Sequence, residues 1–354
     1  MKIWFDILTP KQVMFFKPII DSLQEEGHEL LCTSREYREA VELAKIKHLE
    51  LKIVGRHGGA GKYEKLYESV NRTFKLVQII KKFEPDTAVT FSSPEGSRVA
   101  FGLGIKHIGI NDSPHAESVA KLTIPLMNHL FCPWVIPYSA WIGFGISKHC
   151  ITKYRALDPA VWIKRNTLPS HSVVTDSLNI DGSKNTVLIR VEEAKASYIA
   201  DKKVESKLSM IDALVDNLYE LVNLIILCRY PDQIIEVAKR YEGKAHVVKH
   251  TFDGTSLISL ADVFIGAGGT MTAEASLLGK PTISIAPIRF YVERYLVSSG
   301  LVQRANSSKT LIKLTKKMIS DKTYVQKQKK KAKHILDKMD DPAEKIISFL
   351  KHPE

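Results

Sequence analysis

Gly266-Ala267-Gly268-Gly269-Thr270 follows a short apolar run, Val263-Phe264-Ile265, and leads directly into a helical pattern. Glycine lets a backbone approach a ligand closely and take up positive φ, while the unpaired N–H groups and dipole of a helix start attract anions. That spacing suits a phosphate. Glu274 comes four residues after Thr270, about one helical turn on, where a carboxylate can accept hydrogen bonds from a ribose or sugar diol. The helix stops at Gly279, and Lys280-Pro281 opens the next apolar run, Thr282 to Ala286. Diphosphate and diol together describe a nucleoside diphosphate sugar. A glycine turn can also serve packing alone, and Glu274 also fits a solvated first-turn acid, so the surrounding elements have to decide.

Those elements alternate. Strand-like runs at Ile3 to Leu8, Glu29 to Thr33, Leu49 to Val54, Thr87 to Phe91 and His107 to Ile110 are separated by helical stretches such as Phe15 to Glu26 and Tyr63 to Phe83. A region rich in Ser, Thr, Asn and Pro, Asn166 to Lys184, reads as a linker, after which the pattern restarts. Strands are expected at Thr186 to Val191, Leu221 to Cys228, Ala245 to Val248, Val263 to Ile265 and Thr282 to Ile285. Such alternation specifies parallel sheets covered on both faces, and 354 residues exceed what one core usually holds. The expectation is an α/β chain of two doubly wound, Rossmann-like domains, residues 1–170 and 171–340. Ligands bind beyond the carboxyl ends of the strands in such sheets, so two facing sheets would form an interdomain cleft.

Those ends hold the polar candidates. The first half supplies Asp6, Thr9 and Gln12, then His57, Gly58 and Gly59, then Ser92, Ser93 and Glu95, and finally Asn111, Asp112, Ser113, His115 and Glu117. A base that deprotonates a hydroxyl acceptor must be a carboxylate or imidazole within hydrogen-bond reach. Asp112 comes first in that order of preference, then His115, then Asp6. Asp112-Ser113 before Pro114 also resembles an ordinary helix cap. In the second half, Arg190 and Arg229 each end a strand, and a guanidinium pairs with the charge of a departing diphosphate, though surface ion pairing is the plainer role. Thr251, Asp253 and Thr255 follow a third strand, where Asp253-Gly254 also reads as a turn.

Composition narrows the setting. Hydrophobic residues make up 44% and charged residues 25%, ordinary values for a globular chain. Cys32, Cys132, Cys150 and Cys228 are scattered, without metal-ligand spacing or a disulfide pattern, which fits a reducing cytoplasm with the cysteines as small core residues. The run Leu122 to Ile146 lacks Asp, Glu, Lys and Arg, but Pro125, Pro133 and Pro137 divide it into a helix end, a short strand and a loop. Net charge is +12, with lysines dense from Lys327 to Lys333. A solvated basic helix is the plain reading; attraction to an anionic membrane surface is the functional one. Nucleic acid is not expected, because no aromatic-studded basic motif or zinc-finger spacing is present.

The Gly268-Gly269-Thr270 to Glu274 unit with Gly279-Lys280-Pro281 resembles the nucleotide-binding signature of GT-B glycosyltransferases and of UDP-N-acetylglucosamine 2-epimerases. The whole chain resembles domain of unknown function family 354. The matching residues are Trp4-Phe5-Asp6-Ile7 with Phe15 to Ile20, Gly55-Arg56-His57-Gly58-Gly59, Asn111-Asp112-Ser113-Pro114-His115-Ala116, Arg190-Val191-Glu192-Glu193-Ala194, and Gly266 to Glu274. The resemblance implies a GT-B fold with acceptor binding in the first domain, where the strand ends offer Gln12, His57, Gly58, Gly59 and Glu117. It implies donor binding in the second, with Gly268, Gly269 and Thr270 on the diphosphate and Glu274 on the ribose, beside the strand-end candidates Arg190 and Arg229; it also implies no metal or cofactor, and a last helix, residues 341–354, crossing back to the first domain. Related transferases place a basic histidine near Gln12; glutamine only orients or binds. The expected activity is transfer of a sugar from a nucleoside diphosphate to a hydroxyl acceptor, glycan or lipid-linked, in the cytoplasm or on the inner face of the membrane. Nucleotide-sugar 2-epimerisation and non-catalytic nucleotide-sugar or membrane-surface binding are the alternatives.

Overall fold

A computed structural model describes residues 1–59, 61–165, 178, 180–191 and 208–352. It divides into two compact units, Met1–Arg165 with Asp340–Glu354, and Asn166–Met339. Much of the linker-like region, the 170/171 boundary expected from the sequence and Glu192-Glu193-Ala194 lie outside the described residues.

The first unit runs β1 (Lys2–Asp6), α1 (Pro10–Glu25), β2 (Glu29–Glu36), α2 (Arg38–Ile46), β3 (Lys52–Arg56), α3 (Lys62–Phe83), β4 (Thr87–Thr90), α4 (Pro94–Gly102), β5 (Lys106–Ile110), α5 (Glu117–Thr123), β6 (His129–Pro133), α6 (Ser139–Ile142), β7 (Ile151–Tyr154) and α7 (Ala160–Ile163). Among the described residues its sheet has the order β3-β2-β1-β4-β5-β6-β7, all parallel. The order reverses between β1 and β4, the position at which helices leave to opposite faces and a crevice opens. Sheet strands here are apolar on both faces because helices cover both. Trp4, Ala88, Leu76 and Ile80 pack on one side. Phe5, Phe15, Phe16 and Phe91 meet edge to face at 5.3–6.4 Å in the α1 layer. The apolar run Leu122 to Ile146 resolves into a helix end, β6, α6 and turns, and no helix among the described residues is long and apolar enough to cross a membrane.

The second unit runs β8 (Thr186–Arg190), α8 (Leu208–Leu218), β9 (Asn223–Leu227), α9 (Pro231–Arg240), β10 (His246–Val247), α10 (Gly254–Leu260), β11 (Val263–Gly266), α11 (Thr270–Leu277), β12 (Thr282–Ser284), α12 (Tyr291–Ser298), β13 (Val302–Arg304), α13 (Ser308–Ser320) and α14 (Lys322–Asp337). Its described sheet is β10-β9-β8-β11-β12-β13, again parallel throughout. Alternate residues of each strand go to different cores: Val187, Ile189, Val263 and Ile265 to one, Leu188 and Phe264 to the other. A final helix, α15 (Pro342–Lys351), packs against α1 and α7 and so belongs with the first unit. Asp341 caps it through the Ala343 N–H at 2.9 Å and pairs with Arg165 at 2.6 Å.

His107 of β5 is fully buried, with ring nitrogens 3.0 Å from Thr90 Oγ1 and 3.4 Å from the Leu126 carbonyl. Burial pushes its pKa down from 6.5 to about 4, against the opposing pull of that carbonyl and of Asp6. The folded value lies below the unfolded one. Its stabilisation is therefore complete above the ordinary value and is lost as pH falls through the folded one, a change of roughly 3 kcal/mol. The difference in unfolding free energy between the parent chain and His107→Gln is expected to shrink by about that amount between pH 7 and pH 4. A difference independent of pH overturns the assignment.

Candidate functional sites

At the carboxyl end of the second sheet, β-ladder register sets Leu227, Arg190, Gly266, Ser284 and Arg304 side by side. Gly266 has to be glycine: a Cβ there would lie 2.3 Å from Thr272 Oγ1 and 2.7 Å from the Phe264 ring. Gly268 and Gly269 both have positive φ, +98° and +82°, and a Cβ on Gly269 would meet nothing within 4 Å. A Cβ on Gly268 would come within 3.2 Å of Ala286, so the open space at the start of α11 lies at Gly269, its cap residue, which no side chain caps. Thr270 is the first helical residue.

Glu274 lies one turn into α11 and is buried, with Oε1 accepting the Thr255 hydroxyl at 2.5 Å. Its Oε2 is 3.8 Å from where a Cβ on Gly254 would stand. Asp253 caps α10 by accepting the Thr255 N–H at 3.1 Å, which gives that residue a structural task. Arg190 Nη1 donates to the Cys228 carbonyl at 2.7 Å and to the Leu227 carbonyl at 3.3 Å, fixing the guanidinium at the strand end next to the glycine loop. Arg229 lies in the loop after β9, its N–H held by Gln233 Oε1 at 3.0 Å. Arg304 was not foreseen. It pairs with Glu293 and donates to the Ala286 carbonyl at 2.7 Å, and Glu293 also accepts from Ser284 at 2.5 Å.

In the first unit, Asp6 stands at the end of β1 and is the centre of a buried network. Arg72 of α3 reaches it with two nitrogens, at 3.0 and 2.5 Å, while Ser93 and Thr33 hydroxyls donate at 2.5 and 2.6 Å. Burial raises its pKa, but Arg72 and the two hydroxyls outweigh that, and the net shift is downward. A carboxylate so occupied holds the fold together and has no lone pair placed for an acceptor, which corrects the expectation of Asp6 as a base. Gln12 is also internal: its Oε1 accepts the Leu8 N–H at 2.5 Å and its Nε2 donates to the Phe91 carbonyl at 3.2 Å, tying the loop after β1 to the end of β4. Glu117 opens α5 on the surface and pairs with Lys121 at 2.7 Å, an i,i+4 pair.

His57 lies after β3, its Nδ1 accepting the Gly59 N–H at 3.0 Å and its ring 5.4 Å from that of Tyr37. Gly58 is a packing glycine, because a Cβ would come within 2.5–2.7 Å of the Glu64 and Lys65 backbone, whereas Gly59 has φ +68° and open space.

Asp112 is half-buried after β5, and α5 begins only at Glu117, so Asp112-Ser113 does not cap it. Ser113 donates to Asp112 Oδ1 at 2.8 Å, and Asn111 links Ser113 N–H to Ser92 Oγ, each at 2.7 Å. His115 follows in the same turn, half-buried. Lys11, in the first turn of α1, bridges Asp112 and Asp158 at 2.6 Å each and sits 4.3 Å from the Phe91 ring centroid. Tyr154 donates to Asp158 at 2.5 Å. One cation serves two carboxylates, and they part company. Burial raises Asp158 to about 6, with Asp112 adding to it and Lys11 opposing. Burial also acts to raise Asp112, but Lys11 and Ser113 reverse the direction and keep it ionised. Lys11 and Asp158 were missed because each stands beside a strand end, one hidden in a helix start and the other after a strand too polar to read. Among the described residues no group of three or more His, Cys, Asp or Glu is arranged to hold a metal.

Two doubly wound parallel units of this kind define a GT-B-like fold. The chain belongs to the protein family of unknown function DUF354, whose model matches residues 1–351. The uncharacterized protein MJ0665 of Methanocaldococcus jannaschii is 29% identical over 315 residues, 88% of this chain and 90% of the relative. Among solved structures, the UDP-GlcNAc 2-epimerase of M. jannaschii in complex with UDP-GlcNAc and UDP is similar with a TM-score of 0.72 and 16% identity, over 99% of this chain and 100% of that one. Spinosyn rhamnosyltransferase SpnG, complexed with spinosyn aglycone, is similar with a TM-score of 0.63 and 13% identity, over 99% and 100%. At these identities the likeness establishes the fold.

Proposed function

We propose that the chain is a nucleoside-diphosphate-sugar enzyme that transfers the sugar to a hydroxyl acceptor. The observation carrying this reading is the positive-φ pair Gly268-Gly269 at the start of α11, with open space at Gly269, in a loop that follows Gly266, the β11 residue in register with Arg190. Backbone amides at Gly269 and Thr270 would take the diphosphate, Arg190 its charge, and Glu274 the ribose diol. In the first unit, Asp112, or His115 in the same turn, would be the base that takes the proton of the incoming hydroxyl. Arg229, His57 and Gly59 lie at strand ends suited to further contacts with donor and acceptor. Neither a metal nor a cofactor enters this scheme.

Calorimetric titration with UDP, GDP, dTDP and CMP sugars tests it. One donor is expected to bind, and Glu274→Ala to weaken it roughly 10- to 100-fold, the worth of hydrogen bonds to a charged group. Unchanged affinity in Glu274→Ala would sink the donor-site assignment.

A second reading, 2-epimerisation of the nucleotide sugar, draws support from the higher similarity to the epimerase than to the rhamnosyltransferase, 0.72 against 0.63. Incubation with the donor alone separates them. An epimerase converts it, detected as a new C2 signal, whereas a transferase leaves the sugar unchanged until a hydroxyl acceptor is added.

A further inference from the structure

Tyr63, Leu66, Tyr67, Val70 and Phe74 of α3 recur at helical spacing, yet each is 57–73% exposed. At 100° per residue they form one stripe, opposite the face that buries Glu68, Arg72, Leu76 and Ile80. The rings of Tyr63 and Tyr67 stack at 6.2 Å along it. A surface helix normally shows water its polar side, so this one is amphipathic in reverse. Counting roughly 150 Å² for each large side chain and its exposed fraction, the stripe presents on the order of 500 Å² of apolar surface, at the upper end of what a monomer leaves uncovered.

Charge distinguishes the occupants. The stripe is bordered by exposed Lys62, Lys75, Lys81 and Lys82, with Glu64 the acid among them. Two copies would bring lysine to lysine. An anionic surface complements the lysines and accepts the stripe: a helix lying flat sinks its apolar face about 5–10 Å into the headgroup and acyl boundary, with tyrosines at the interface and lysines on phosphates.

We propose that α3 is a membrane-docking helix that seats the first unit on an anionic lipid surface. This placement differs from the lysine-dense helix α14, whose exposed Lys327, Lys329, Lys330, Lys331 and Lys333 have no apolar partner row to insert. The docking stands independently of the nucleotide-sugar reading.

Flotation with phosphatidylcholine vesicles, with and without 30 mol% phosphatidylglycerol, tests it at about 50 and 300 mM NaCl, where screening lengths differ by more than twofold. The full chain is expected to float only with the anionic vesicles, and to lose at least fivefold in bound fraction at the higher salt. Leu66→Ser with Phe74→Ser is expected to lose at least tenfold, and Lys75→Glu with Lys82→Glu a similar amount. Neutralising Lys329, Lys330 and Lys331 to glutamine should leave binding in place. A Tyr63→Trp variant gives a second readout: brominated lipid quenches the added emission if the stripe inserts. Binding retained by the serine variant, binding abolished by the α14 variant, an unquenched Tyr63→Trp signal, or no vesicle binding at all would each overturn the proposal. So would sedimentation showing a dimer that the serine substitutions dissociate.

Discussion

Arg72→Met is expected to lower the unfolding free energy of the first unit by about 3–5 kcal/mol, the cost of leaving a buried charge without its partner. Arg72 is 1% exposed and makes two charge-assisted hydrogen bonds to Asp6, whose side chain is fully enclosed. Its Nε also donates to the Val54 carbonyl at 3.0 Å, and Nη1 lies 3.5 Å from Glu95. Methionine fills much of the volume but supplies no donor. Asp6 would then retain the Ser93 and Thr33 hydroxyls but lose the guanidinium that holds its pKa down, and its pKa would rise. The double variant Arg72→Met, Asp6→Asn removes both charges and is expected to recover a large part of the loss. Urea denaturation of the parent, both single variants and the double variant measures this. A loss below about 1 kcal/mol in Arg72→Met would place the pair among surface-type ion pairs and contradict the buried geometry.

The same network shows why some of the molecule was legible in the sequence and some was not. Strands β1, β4, β5, β8, β9 and β11 are short apolar runs bounded by turn residues, because helices cover both faces of each sheet, and their alternation with helices led directly to two parallel units. The Gly266 to Thr270 loop was legible because positive φ and close backbone contact demand glycine. Strands β7 and β13 were not read. Each is short and carries polar residues, Thr152 and Lys153 in one, Gln303 and Arg304 in the other, so no apolar run announces them. With β7 went Asp158 and Tyr154; with β13 went Arg304. Asp6 stands in the sequence as the third candidate base because its partner lies 66 residues away on a helix, and separation of that kind leaves no local mark. Sequence reasoning found the residue types at the strand ends but could not say which were already occupied by the protein itself.

Asp112→Asn is expected to lower kcat by 10²- to 10⁴-fold with little change in donor affinity, the signature of a group that acts on the reacting hydroxyl. Asp112 is reachable, with its side chain 20% exposed, and Lys11 keeps it ionised. Asparagine preserves shape but cannot take part as an anion. The substitution has a second consequence, readable by pH. Asp158 titrates at about 6 because burial and the Asp112 charge raise it while Lys11 lowers it. Removing the Asp112 charge deletes one raising cause and leaves Lys11 to Asp158 alone, so Asp158 moves to lower pH. Lys11→Met acts in the opposite sense, raising Asp158 further and relaxing Asp112 upward. Carbon-13 carboxyl titration of aspartate-labelled protein follows both shifts, and Asp158→Asn identifies the signal near pH 6 by its loss. An unchanged Asp158 midpoint in Asp112→Asn would show that Lys11 does not couple the two carboxylates. A kcat within tenfold of the parent would remove Asp112 from the reaction and leave His115 as the first-unit candidate.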